Sequence, residues 1–302
     1  MELTDNLEPL AKDLFWVKAP GNGKFPFCNG FLLTGDEIVL IDAGLGSETI
    51  LELDKQYKID TLVISHSHPD HIMSWHCLTD RRILMPKETP EVVSDLDKLG
   101  FRFTGTKEKA KSWKARVADG LGLRPMRLPD ARYSSGETVG NDKVKLEAIH
   151  APGHLNDHYC FFHEESKTLL STDIDFDSFG PWYGNPECSI ELFKQSIEKV
   201  RAYPYEVVCS SHKPPMNRAE GEVAFETYIG LFDDQKERVL QLCDTPKTLE
   251  ELIACYPFYR DKMKDKKVQA IFEEMLIFKN LELLLKNELI IQNNNKYIKV
   301  DT

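Results

Sequence analysis

The sequence predicts an α/β protein with a smaller helical region behind it, and three observations carry that expectation. Short, partly β-branched apolar runs recur through the first 220 residues, with amphipathic helical patterns between them. Motifs rich in histidine and aspartate stand at the ends of several of these runs, as at residues 64–71, 149–154 and 170–173. Beyond about residue 220 the runs give way to long helical patterns and one hairpin.

Composition narrows the function classes. At 302 residues, 41% apolar and 29% charged, the chain has the make-up of a globular protein and the length of two domains. Its net charge of −11 argues against a simple nucleic-acid binder, because phosphate recognition needs clustered Lys and Arg, and the acid excess falls in the first 240 residues. The seven cysteines (Cys28, Cys77, Cys160, Cys188, Cys209, Cys243, Cys255) are odd in number and lack CxxC spacing, so they read as reduced thiols. The acidic start, residues 1–14, has no long apolar core, and no apolar run reaches the length of a membrane span. The expectation is a cytoplasmic protein without a membrane partner.

In order, residues 14–18 and 30–34 read as strands joined by the Gly/Pro-rich loop 20–26, and Gly35-Asp36 turns the chain into a third strand over 37–41. Asp42 ends that strand, where it either supports metal ligands from behind or caps the turn. Residues 47–53 read as a helix with Ser47 as N-cap, and residues 61–64 as a buried strand that stops where the histidines begin. His66 and His68 are two apart, so on an extended chain they face one side, and Pro69 turns the chain at Asp70 and His71. Three imidazoles and a carboxylate within six residues are a donor set for zinc, iron or manganese. A helix over 72–78 follows, on which His76, about 140° around from His71, is a packed or surface residue.

Residues 84–132 form a helical insertion with helices over 90–99 and 107–121. Phe101, Phe103 and Trp113 are placed to cover something there. Lys107, Lys109, Lys111, Lys114 and Arg116 either attract an anionic substrate or form a solvated face. The turn Ser134–Glu137 and an alternating strand over 144–149 lead into Ala151-Pro152-Gly153-His154, whose sharp turn presents His154. His150 and His158 read as supporting or packing residues, and His163 as surface. A strand running from residue 160 on to 170 leads to Asp173, preferred over Asp175 and Asp177 because it stands at the end of the apolar run. Phe176, Phe179, Trp182 and Tyr183 either line a pocket or simply pack. A helix over 190–201, capped by Ser189, feeds a strand over 206–210 and then His212. Helices follow over 223–242, from Thr248 with Glu251 in a capping box, and over 268–285; residues 288–291 and 296–300 make a hairpin.

The run His66-Ser67-His68-Pro69-Asp70-His71, with His154, Asp173 and His212 following in that order, resembles the metallo-β-lactamase-fold superfamily over about residues 10–220. The form PGHxxDH at residues 152–158 resembles members with a C-terminal winged helix. The resemblance implies an αββα sandwich over residues 1–220, carrying the insertion 84–132, and a helical, winged-helix-like domain over 221–302. It also implies His66, His68 and His154 on one metal, Asp70, His71 and His212 on the other, and Asp173 between them. Two zinc ions per chain are expected, with iron or manganese also suited to the donors. Such a pair lowers the pKa of a bridging water and polarises the bond under attack, while Asp70 also orients the hydroxide. The sequence departs from the family pattern at Thr172, where glycine usually precedes the aspartate, and at Ser211 and Lys213, where glycines usually flank the histidine.

The implied chemistry is metal-assisted hydrolysis; no Ser or Cys stands paired with a base for a covalent route. The acidic charge favours a small ester, thioester or lactone as substrate. A winged-helix-like tail keeps RNA or another phosphodiester as the alternative. An iron-dependent redox enzyme is a third reading, opposed by the complete second set Asp70, His71 and His212. The apolar face at Ile271, Phe272, Met275 and Leu276 suits a packed domain or a homodimer contact better than DNA readout.

Overall fold

The computed structural model describes residues 6–260 and 265–300. Within them, β1 (Leu7–Ala11), β2 (Leu14–Val17), β3 (Gly30–Leu33), β4 (Val39–Ile41), β5 (Thr61–Val63), β6 (Arg82–Pro86) and β7 (Ala131–Tyr133) form one sheet in chain order. A second sheet holds β8 (Thr138–Gly140), β9 (Lys145–His150), β10 (Tyr159–His163), β11 (Thr168–Thr172), β12 (Val207–Ser210) and β13 (Met216–Asn217). The first sheet is antiparallel up to β4 and parallel beyond it; in the second, β11 and β12 run parallel. The helices are α1 (Ser47–Tyr57), α2 (Pro69–Ile72), α3 (Leu96–Thr104), α4 (Lys107–Trp113), α5 (Ile190–Arg201), α6 (Arg218–Leu242), α7 (Leu249–Ala254) and α8 (Lys266–Lys286), followed by the hairpin β14 (Ile290–Asn293) and β15 (Lys296–Lys299).

The period of two along each strand assigns the layers. Phe31, Leu33, Val39 and Ile41 share one buried cluster with Leu146, Ala148, Phe161 and Leu170 of the other sheet, and this is the core between the sheets. The alternate residues Leu32, Leu40, Phe162 and Leu169 turn outward into a second cluster with Ile50 and Leu53 of α1 and Phe193 and Ile197 of α5. The result is the αββα sandwich. The apolar face of α8 is used inside the chain: Leu276, Ile277, Leu281 and Leu284 join that outer cluster. Among the described residues no helix is long and apolar enough to cross a membrane.

Where elements differ from expectation, backbone contacts explain it. The strand β1 pairs with β2 and was not foreseen, since its partly exposed residues leave no apolar signal. Gly46, at φ 80°, caps α1, and Ser47 is its first residue. The helix expected over 72–78 breaks because the Ser74 N–H donates to Ala43 O at 2.9 Å; α2 ends at Ile72 and a 3-10 turn, Trp75–Leu78, follows. The helix over 90–99 breaks at Asp95, which is extended and caps α3 through the N–H groups of Asp97 and Lys98. Residues 160–170 are a hairpin, with His163 opposite Thr168. His163 is therefore buried, 5% exposed and bonded to Ser166 Oγ, and is no surface residue. The long helix α6 starts at Arg218, earlier than residue 223, on a capping box of Asn217 and Glu220.

Candidate metal centre

The C-terminal ends of β4, β5, β9, β11 and β12 converge, and the loops beyond them carry the reactive side chains, the usual place for a site in a sheet with parallel strands. Three backbone devices aim them. At Gly153, φ 118°, an added Cβ would lie 2.2 Å from Phe193 N, so the turn before His154 needs glycine to seat against α5. Thr172 holds φ 46°, a region that disfavours a β-branched residue, and a register shift between Leu170 and Thr172 accompanies it before Asp173. Its hydroxyl donates to Tyr159 O at 2.7 Å, which offsets part of that strain. This is the position where glycine was expected. Ser211 and Lys213 have no positive φ, and Ser210 Oγ accepts the N–H groups of His212 at 3.2 Å and Lys213 at 3.0 Å, so that loop does without glycine.

Each imidazole has one nitrogen occupied and the other free. Nδ1–H of His71 donates to Asp42 Oδ2 at 2.8 Å, that of His154 to Trp182 O at 2.9 Å, and that of His212 to Gly23 O at 2.5 Å. Ser65 gives its own proton to Asp42 at 2.7 Å, so its oxygen accepts Nδ1–H of His66 at 3.1 Å. His68 is reversed: Nε2–H donates to Asn185 Oδ1 at 2.9 Å, leaving Nδ1 free. Four Nε2 lone pairs and one Nδ1 lone pair therefore point inward, in tautomers fixed from behind.

These atoms form two groups. His66, His68, His154 and Asp173 offer ligand atoms within 4.8 Å of one another, and so do Asp70, His71 and His212. Asp173 faces both: Oδ2 lies 3.4 Å from His66 Nε2 and 3.2 Å from His154 Nε2, while Oδ1 lies 2.9 Å from His71 Nε2 and 3.3 Å from His212 Nε2. The seven residues expected as ligands are thus all brought together.

The residues fit a metal. His68 Nδ1 sits 2.8 Å from His154 Nε2 and 3.2 Å from His66 Nε2, a crowding of lone pairs that a shared cation relieves. His71 Nε2 and Asp173 Oδ1, 2.9 Å apart, are buried with no other hydrogen-bond partner. Burial pushes His66 and His68 well below the ordinary imidazole value, which leaves them neutral donors. Burial also lowers His71 and His212, but the Asp173 carboxylate outweighs it and draws His212 up to about 10. That response marks a centre whose negative charge calls for a cation. A third set, Cys28, Asp42 and His71, also lies within 4.8 Å, but burial pushes the Cys28 thiol up to about 12, and His71 Nδ1 is already held by Asp42. Asp42 therefore supports the ligands from behind.

Several supporting residues had no signature in the sequence. Asn185 accepts Trp182 Nε1–H at 2.8 Å as well as His68, and donates to Phe103 O at 3.1 Å. Arg102 of α3 reaches Ser67 Oγ at 2.5 Å, Asp157 Oδ1 at 2.9 Å and Glu187 Oε1 at 2.6 Å, so the insertion grips the loop between His66 and His68. Asp157 lies inside the PGHxxDH form, but its partner is 55 residues away in sequence. Phe103 packs on His68, with centroids 5.4 Å apart. His158 donates to Ala151 O at 2.7 Å and accepts the Asp173 N–H at 3.2 Å, a supporting role. His150 bonds Asn156 O, and neither it nor His76 joins a ligand group among the described residues. Asp175, which burial pushes up to about 6, and Asp177 line the cavity; Asp177 also pairs with Lys213 at 3.6 Å. The cavity over the cluster measures about 1060 Å³.

Comparison with known proteins agrees with this geometry. The family model for the metallo-beta-lactamase superfamily matches residues 23–212. Hydroxyacylglutathione hydrolase GloC of Haemophilus influenzae is 27% identical over 155 residues, 49% of this chain and 66% of that protein. A metallo-beta-lactamase family protein from Thermus thermophilus shares the fold at TM-score 0.75 and 20% identity, over 97% of this chain and 100% of that one. A protein solved in a di-iron-bound form matches at TM-score 0.50 and 22% identity, over 64% of this chain and 90% of its own. With more than half its length under that family model, the chain belongs to the metallo-beta-lactamase superfamily, as a hydrolase with a His/Asp metal-binding cluster.

Proposed function

We propose that the chain is a binuclear zinc hydrolase of a small ester, thioester or lactone. The observation that carries this is Asp173, whose two oxygens face different ligand groups, the arrangement a pair of cations needs. When bound, such a pair supplies a water of lowered pKa and polarises the bond under attack. The chain's own residues do the rest. His66, His68 and His154 hold one site and Asp70, His71 and His212 the other, and Asp42, Asn185 and the carbonyls of Gly23 and Trp182 keep the lone pairs aimed. Asp70, with Oδ2 3.6 Å from His212 Nε2 and on the cavity floor, is placed to orient the attacking water.

The acyl class is favoured by the name of the Haemophilus relative and by the net charge of −11, which repels polyanions. Zinc is favoured by the imidazole-rich donor set, although one structural neighbour was solved in a di-iron-bound form. The unpaired state of all seven cysteines supports a reducing compartment such as the cytoplasm. The order α7, α8, β14–β15 supports a winged-helix-like domain over 221–302.

Elemental analysis of protein purified without added metal, followed by a screen of thioesters, lactones and RNA at varied salt, tests the reading. Two zinc ions per chain with acyl turnover are expected. Iron would favour redox chemistry, RNA cleavage would favour the phosphodiester alternative, and a parent protein that holds no metal would overturn the ligand assignment.

A further inference from the structure

Beside the ligand cluster the cavity has a surface of another kind. Phe179 and Trp182, on the loop after Asp173, join Tyr259 and Phe272, from far along the chain, in one row of rings. The centroids are 4.4 Å apart from Phe179 to Tyr259, 6.0 Å from Tyr259 to Phe272 and 5.3 Å from Phe272 to Trp182. All four line the same cavity as His68, Asp70, Asp173 and His212.

Packing alone does not explain the row. Aromatic residues that simply fill the same junction are closed off: Tyr183, Phe225, Tyr228 and Phe232 are at most 2% exposed. Tyr183 directly follows Trp182, yet it stacks on Phe232 and donates its hydroxyl to Gln235 Oε1 at 2.6 Å. The four rings of the row remain half-buried, with open space in front of them. They are also held in place. Glu273, buried next to Phe272, accepts the backbone N–H groups of Phe258 at 3.1 Å and Tyr259 at 2.6 Å, which locks Tyr259 against its neighbour. Trp182 is fixed through Asn185. Rigid rings offer stacking and dispersion with little side-chain entropy lost on binding, and they match a flat apolar group.

Resting on the hydrolase reading above, we propose that this row is the binding wall for one arm of the substrate. The preferred ester or thioester then carries an aryl or similarly flat apolar group on one side of the scissile bond, and Tyr259 and Phe272 determine that preference.

The test uses the full chain and two readouts. Calorimetry compares phenylacetate, acetate and choline as ligands. Kinetics compares S-phenylacetyl with S-acetyl-N-acetylcysteamine, and benzyl acetate with ethyl acetate, whose leaving groups are matched in acidity, to place the aryl group on either arm. Phenylacetate is expected to bind and the other two not, with an aryl preference in kcat/KM in one pair. In Phe272→Ala the preference and the phenylacetate affinity should each fall by about fivefold, as the loss of a ring contact implies, and by less in Phe272→Leu, which keeps most of the packing volume. Turnover without aryl preference, insensitivity to Phe272→Ala in a folded variant, or selective binding of choline would each overturn the wall. If no ester or thioester is cleaved but phenylacetate still binds in a Phe272-dependent way, the ester and thioester reading fails and the wall stands.

Discussion

The floor and the wall of the cavity are built by opposite means. On the floor each ligand imidazole is aimed by a polar partner: Asp42 behind His71, Ser65 behind His66, Asn185 behind His68, main-chain carbonyls behind His154 and His212. The wall has rings set by packing and by one buried carboxylate, Glu273. The floor is drawn from strand ends of both sheets, the wall from a loop and from the C-terminal region. A division of labour follows: the floor decides which bond is attacked, and the wall decides which molecule is brought to it. The two meet at Asn185, whose side-chain oxygen accepts from both His68 and Trp182.

Four variants strain this comparison, and the largest effect is expected at Asp173. Asp173→Ala removes the oxygens that face both ligand groups, so turnover should fall to background and bound metal should drop; unchanged metal content by elemental analysis would mean the floor is not organised around it. Asp42→Asn keeps the shape but weakens the acceptor behind His71, and competition with a chromophoric chelator should show metal affinity lower by about 10–100-fold. Asn185→Ala touches both regions, so it should lower metal affinity by about tenfold and also blunt aryl preference, whereas Asp42→Asn should alter affinity alone. Loss of selectivity in both variants would erase the distinction between floor and wall.

Arg102→Ala strips the buried Asp157 of its partner and should cost about 3–5 kcal/mol in denaturant unfolding. A smaller effect concerns acid. Burial raises Asp157, but the Arg102 guanidinium and the hydroxyls of Ser67 and Thr89 outweigh it and hold the carboxyl below the usual range. A depressed folded value means stability that is present above the unfolded pKa of about 3.9 and is lost as pH falls through the folded one. The fall in stability below about pH 4 should therefore be shallower in Arg102→Ala than in the parent.

The floor was legible in the sequence because metal chemistry demands rare residue types at short spacing, as in His66, His68, Asp70 and His71. The layers were legible where strands are buried on both faces, as at β5 and β12, and the caps Ser189 and Thr248 announced α5 and α7. What stayed hidden depends on partners remote in sequence. His163 is buried because of the strand opposite it, the helix at 72–78 breaks on the carbonyl of Ala43, and Arg102, Asn185 and Tyr259 acquire their roles only from residues the fold brings to them.

The scattering of the ligands over both halves of the sandwich also governs assembly. His66, His68, Asp70 and His71 follow β5 of one sheet, while His154, Asp173 and His212 follow strands of the other. A cation held between them is a cross-link that closes long loops, and it binds the native chain in preference to the unfolded one. During synthesis the early histidines leave the ribosome without their counterparts, and full coordination must wait for residue 212. Completion of the ligand set is thus a late event in the life of the chain, a lock that closes fully only once the two sheets have found each other.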